Sequence, residues 1–236
     1  MSMSTTKDAI ETANHFLNKA ADFKYFALLG AFILVLDSAL VAYYDLPLLA
    51  LTVGEVKDKV SVGACLVFLA VFTLFISFVV SAIKYILIVI FSLLPVSFSN
   101  FFNSKDSFSP DKNHYVDESK LLKYSIEKDN QVAYSVYKLR QDLKKGDQLL
   151  EHFSLAFLLA SVINIVVATK ADGIVLGVLL NIDTSSGVFS TESMLFTFSM
   201  ILYACLFYLG VMRGCGLIYS SSDHFYMNNH GIKFDE

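Results

Sequence analysis

Charge is what this chain of 236 residues has least of. Asp, Glu, Lys and Arg make up 17% of it, against about 25% in an ordinary soluble domain. The net charge is −4 at pH 7, which argues against nucleic-acid binding, because that needs an excess of Lys and Arg on one face. Cysteine is scarce as well. Cys65, Cys205 and Cys215 all lie in apolar surroundings, where they behave as small apolar side chains, so they form no disulfide framework and do not report the redox compartment. The five histidines, His15, His114, His152, His224 and His230, lack metal-ligand spacing. P-loop, G-x-G-x-x-G, G-x-S-x-G and H-E-x-x-H patterns are missing. The sequence therefore predicts no enzyme, no cofactor and no metal site.

What the chain has instead is hydrophobic length. Apolar residues make up 55% of it and Phe alone contributes 21. Four apolar stretches run over residues 25–44, 61–96, 152–169 and 194–219, each long enough to cross a hydrocarbon core of about 30 Å, which takes about 20 helical residues. The expected fold is all-α and polytopic: four transmembrane helices, with a cytoplasmic helical segment between spans two and three. The chain divides into a leader (1–24), spans one and two (25–96), the central segment (97–151), spans three and four (152–219) and a tail (220–236).

The leader is polar and charge-balanced, and no A-x-A site closes the run after it, so 25–44 reads as an uncleaved span and not as a signal peptide. Ile10, Ala13, Phe16, Leu17 and Ala20 recur at helical spacing, which predicts an amphipathic helix on the membrane surface. Orientation follows from Lys and Arg. Three fall in the leader and nine in residues 97–151, whereas the two opposite loops hold only Lys57, Lys59 and Lys170. Both termini and the central segment are then cytoplasmic.

Charged groups inside spans are the natural candidates for function, because burial in lipid costs several kcal/mol unless the group is paired or wetted. Lys84 lies about 35 Å along span two from Ser61, and Arg213 about 29 Å along span four from Met194. Both reach the inner interface and read as anchors that snorkel to the headgroups. Asp37 differs. It sits about 12 Å below the outer end of span one, where it is neutral, hydrogen-bonded to Ser38, Ser77 or Asn164, or open to a wet cavity. Asn164 is the other polar group in mid-span.

Span two is longer than a bilayer needs. The part after Lys84, closed by Pro95, either projects into the cytoplasm or bends into the interface. A projecting helix needs cover, which Val132, Val136, Leu139 and Leu143 can supply as one stripe of a helix expected from about Asp117 to Lys145 and running into span three, with Asp117 as N-cap. In the second outer loop, residues 174–180 are apolar but too short to span, and Asn181 and Asp183 follow, so this piece reads as re-entrant or interface-lying. Gly210 and Gly214 form a small-xxx-small pair that permits close helix packing or dimerisation.

Internal repeats and mid-span breaks, expected of a transporter, are not visible. Ser61, Thr73, Ser77 and Ser81 on span two suit helix packing better than a pore lining. A binding role remains. In span layout, cytoplasmic termini and lack of catalytic motif, the chain resembles the immunity proteins that protect bacteria from pore-forming toxins of the colicin type, including toxins delivered by secretion systems. The resemblance assigns no residue a role. It implies a bacterial inner-membrane protein that neutralises the toxin's hydrophobic helices within the bilayer. On this reading the partner-binding surface is expected at Asp37, Asn164, Ile174, Leu176, Leu179 and Asp183. The alternatives are a homo-oligomeric channel or membrane-perturbing effector joined through the span-four glycines, and an accessory subunit docked through residues 97–151.

Overall fold

The computed structural model describes residues 23–52, 61–93, 118–168 and 191–216. Helix α1 covers Phe23–Tyr44 and a short 3-10 turn Leu48–Ala50 follows it. Helix α2 runs over Val62–Ser92, α3 over Glu118–Glu127, α4 over Gln131–Ala168 and α5 over Thr191–Phe207. No strand occurs among the described residues. Four of these helices are long and apolar enough to cross a membrane, which is compatible with an integral membrane protein.

The centre of the bundle is the seam between α1 and α4. On α1 the buried positions Ala27, Ala31, Leu34, Ser38 and Val41 advance by four, three, four and three residues, the spacing of a heptad stripe. On α4 the matching positions are Phe153, Phe157, Ala160 and Asn164. The helices run parallel, since Gly30 faces Phe157 and Ser38 faces Asn164. Gly30 has a specific steric reason to lack a side chain: a Cβ there would lie 2.2 Å from the Phe157 ring.

Helix α5 closes the core from another side through Leu206 and Val211. Tyr203 ties it to α4, its ring edge-on to Phe157 and its hydroxyl 3.0 Å from Ser161 Oγ. Helix α2 is the loosest member. It meets α1 through Phe68 and Phe72 packed edge-on against Phe32, and reaches the core with Phe75 and Val80.

Two expectations from the sequence need correction. The helix expected over 117–145 is two helices, broken at Lys128–Asn130, where Asp129 adopts φ +47°, a conformation that Asp tolerates better than most residues. Asn130 then caps α4, its Oδ1 accepting from the N–H groups of Val132 and Ala133 at 3.1 Å each. The hairpin is held by Leu121 against Ala133, flanked by Tyr124, Val136 and Tyr137. The expected N-cap Asp117 lies outside the described residues. Nor does the Val132 to Leu143 stripe cover α2: Val132, Leu139 and Leu143 are 73%, 61% and 56% exposed. Helix α2 meanwhile runs unbroken past Lys84 to Ser92, so the segment after Lys84 extends straight for about 12 Å at 1.5 Å per residue.

Candidate functional site

Polar side chains gather at two levels of this apolar bundle. The first lies towards the C-terminal ends of α1 and α4. Asp37 and Asn164 are both fully buried, and Asn164 Nδ2 donates to Asp37 Oδ2 at 2.9 Å and to Ser38 Oγ at 3.1 Å. Ser38 in turn donates to the Leu34 carbonyl at 2.8 Å. Of the partners expected for Asp37, Ser38 and Asn164 belong to its cluster, and Ser77 is exposed on α2. The other carboxylate oxygen, Oδ1, accepts from the Leu48 N–H at 2.7 Å. Pro47 starts the 3-10 turn that aims this donor, so the chain after α1 folds back onto that helix and is pinned by a buried carboxylate. A partner reaches Asp37 or Asn164 only if α1 and α4 separate.

The second level joins α2, α4 and α5. Glu151 of α4 lies between two cations, its Oε1 3.2 Å from Arg213 Nε and its Oε2 3.6 Å from Lys84 Nζ. Arg213 also donates from Nη2 to Asp147. Lys84 and Arg213 thus lie at one level, and each is drawn to a carboxylate of α4. The group carries two positive and two negative charges, so it is neutral as a unit.

Two departures from α-helical winding build this level. A π-helical turn spans Phe75–Val79 in α2. Such a turn disrupts the regular ladder, and the Ile76 carbonyl within it lies 2.9 Å from His152 Nε2. His152 therefore carries its proton on Nε2 and donates. A second π-helical segment, Tyr208–Arg213, ends α5 and brings Arg213 round to α4. Beside the ion pairs lies an open depression of about 590 Å³, lined by Lys84, Lys145, Gln148, Leu149, Glu151 and His152.

Gly210 and Gly214 serve the chain's own bundle. A Cβ on Gly210 would stand 2.7 Å from the backbone N of Leu155, so this glycine lets α5 touch the α4 main chain. A Cβ on Gly214 would lie 2.5 Å from Gly210 O, at the close of the same π-helical segment. Ile174, Leu176, Leu179 and Asp183 lie outside the described residues. No group of His, Cys, Asp and Glu suited to a metal occurs among the described residues.

The sequence reading missed Asp147, Glu151 and His152. A signal for them exists: Asp147 and Glu151 stand four residues apart where the apolar run of span three begins, at the level already assigned to Lys84 and Arg213. The third feature of the bundle is an uncovered face on α2, where Gly63, Ala70 and Ser77 recur every seven residues and are all exposed. Compared with known proteins, the chain matches no protein-family model, no curated sequence and no solved structure.

Proposed function

We propose that this protein is a non-catalytic binding protein of the bacterial inner membrane, with both termini in the cytoplasm. It meets the apolar helices of another membrane-inserted protein along α2, and its role is protective, that of an immunity protein against a pore-forming toxin. The uncovered face of α2 carries the reading. Lipid tails are as apolar as Leu, so helices associate in a bilayer where small residues let backbones approach. Gly63, Ala70 and Ser77 offer that surface, turned away from the chain's own core.

Two further features support binding over conduction. The centre of the bundle is filled by Phe157, Leu155, Leu206 and the Asp37–Asn164 pair, and Ser161 is bonded within it to the Phe157 carbonyl and Tyr203. Gly210, the residue on which a span-four homo-oligomer would rest, is occupied by α4. The second reading, a homo-oligomeric channel or membrane-perturbing effector, then needs α2 as its interface.

The test is membrane potential, read with a voltage-sensitive dye in bacterial cells making the protein alone or with the product of the neighbouring gene. A protective protein leaves the potential intact alone and prevents its collapse by the neighbour. Ala70→Leu and Ser77→Leu remove that protection while insertion persists. Depolarisation by the protein alone overturns the reading and favours the channel.

A further inference from the structure

The largest unexplained surface outside the spans is the first half of α4. This helix has 38 residues and is about 57 Å long, whereas crossing a bilayer takes about 20 residues. The ion-pair level at Glu151 leaves the part from Gln131 onward outside the span. Yet Val132, Leu139 and Leu143 of that part stand exposed, and on the stripe they share with Val136 only Val136 is packed, against the α3 hairpin. The stripe is a direct continuation of the α1–α4 seam. From Val132 the positions 136, 139, 143, 146, 150, 153, 157, 160 and 164 alternate four and three residues without a slip.

The other half of the seam continues in the same way. Counting back from Ala27 with the same alternation gives Lys24, Ala20, Leu17, Ala13 and Ile10. These include four of the five apolar residues that make the leader amphipathic. Asp8, Glu11, Lys19 and Asp22 fall off this stripe. Ser38 and Asn164, in contact at 3.1 Å, are 126 residues apart, and the same offset places Ile10 opposite Val136 and Ala13 opposite Leu139. It likewise sets Leu17 opposite Leu143 and Ala20 opposite Gly146. Gly146 has open space where a Cβ would stand, so Ala20 meets a small partner.

From this coincidence of phase we infer that the leader extends α1 towards the N-terminus and lies on the exposed stripe of α4, as the second strand of a parallel, in-register coiled coil. The seam already formed by α1 and α4 then runs on, beyond the membrane, from Ala20 and Gly146 to Ala13 and Leu139, up to the α3 hairpin at Val136. Like positions face like positions along it, as a parallel two-stranded coil requires. The occupant of the stripe is thus the chain's own leader, which then does not lie on the membrane surface. The inference stands independently of the protective role.

Cysteine cross-linking of the full chain tests it. In a background with Cys65, Cys205 and Cys215 replaced by Ala, two facing pairs are introduced, Ala13→Cys with Leu139→Cys and Ala20→Cys with Gly146→Cys. Glu11→Cys with Leu139→Cys is the control, because Glu11 lies off the stripe. Facing positions hold their Cα atoms within about 4.4–6.8 Å, the range a disulfide spans. Mild oxidation is expected to link both facing pairs within one chain, at least about tenfold faster than the control, since docking raises the local thiol concentration. An unchanged far-UV circular dichroism spectrum and monomeric elution show that the variants fold. A link between two chains overturns the inference in favour of a second copy on the stripe. Equal rates for facing and control pairs, or ready alkylation of the cysteine at 139 by a water-soluble maleimide, overturn it in favour of an open stripe and a leader held elsewhere.

Discussion

Helices α4 and α2 are both long and apolar, and they are used in opposite ways. Of the most apolar window in each, 39% is buried in α4 and 11% in α2. The difference does not come from hydrophobicity, since α2 is the more apolar of the two by mean hydropathy, 2.8 against 1.9. It comes from what each presents to its neighbours. Helix α4 offers a heptad stripe, a hydrogen-bonding Asn164, and the carboxylates Asp147 and Glu151, and so engages α1, α2 and α5 together. Helix α2 offers its own bundle a few aromatic rings, one opened carbonyl at Ile76 and Lys84. In lipid, apolarity does not distinguish inside from outside; shape and polar partners do.

The contrast can be broken most severely at Gly210. Leucine there forces α5 off the α4 backbone, and overpacking against main chain is expected to cost about 3 kcal/mol or more, read as earlier unfolding in a denaturing-detergent titration. Asn164→Leu comes next. It removes the donor to Asp37 and Ser38 while keeping the branching of the side chain and should cost about 1–2 kcal/mol. Glu151→Gln takes away the shared partner of Lys84 and Arg213. These groups are partly exposed and screened, so the loss is expected at about 1 kcal/mol or less, and it should shrink further as salt is raised.

The smallest effect on stability sharpens the comparison instead of breaking it. Ala70→Leu or Ser77→Leu on the outer face of α2 should change bundle stability by no more than about 0.5 kcal/mol, while removing protection in the potential assay. If either destabilises the isolated protein as much as Gly210→Leu, the α2 face is not free and the contrast between the two helices fails.

Much of the architecture was legible in the sequence because it depends on composition and length. Four helices long and apolar enough to cross a membrane follow from runs of apolar residues, and the shared level of Lys84 and Arg213 follows from a rise of about 1.5 Å per residue. The break at Lys128–Asn130 was not read, although Asp129 and Asn130 are turn-forming and capping residues, because the apolar periodicity on either side suggested one helix. The pinning of Leu48 by Asp37 was not legible either: it joins a side chain to a backbone N–H across a loop, and backbone groups carry no residue-specific mark.

The sequence by itself determined that the chain is helical and apolar enough to cross a membrane, since backbone groups in lipid must be satisfied within a helix or a closed barrel. It also determined which positions are polar within that setting. Only the tertiary structure decided which helices share a seam and which face remains open. The physical reason is that each of the four long helices is apolar enough for lipid on any face, so its neighbours are chosen by fit and by hydrogen bonds: Gly30 under Phe157, Asn164 beside Asp37, and His152 against a carbonyl that a π-helical turn presents.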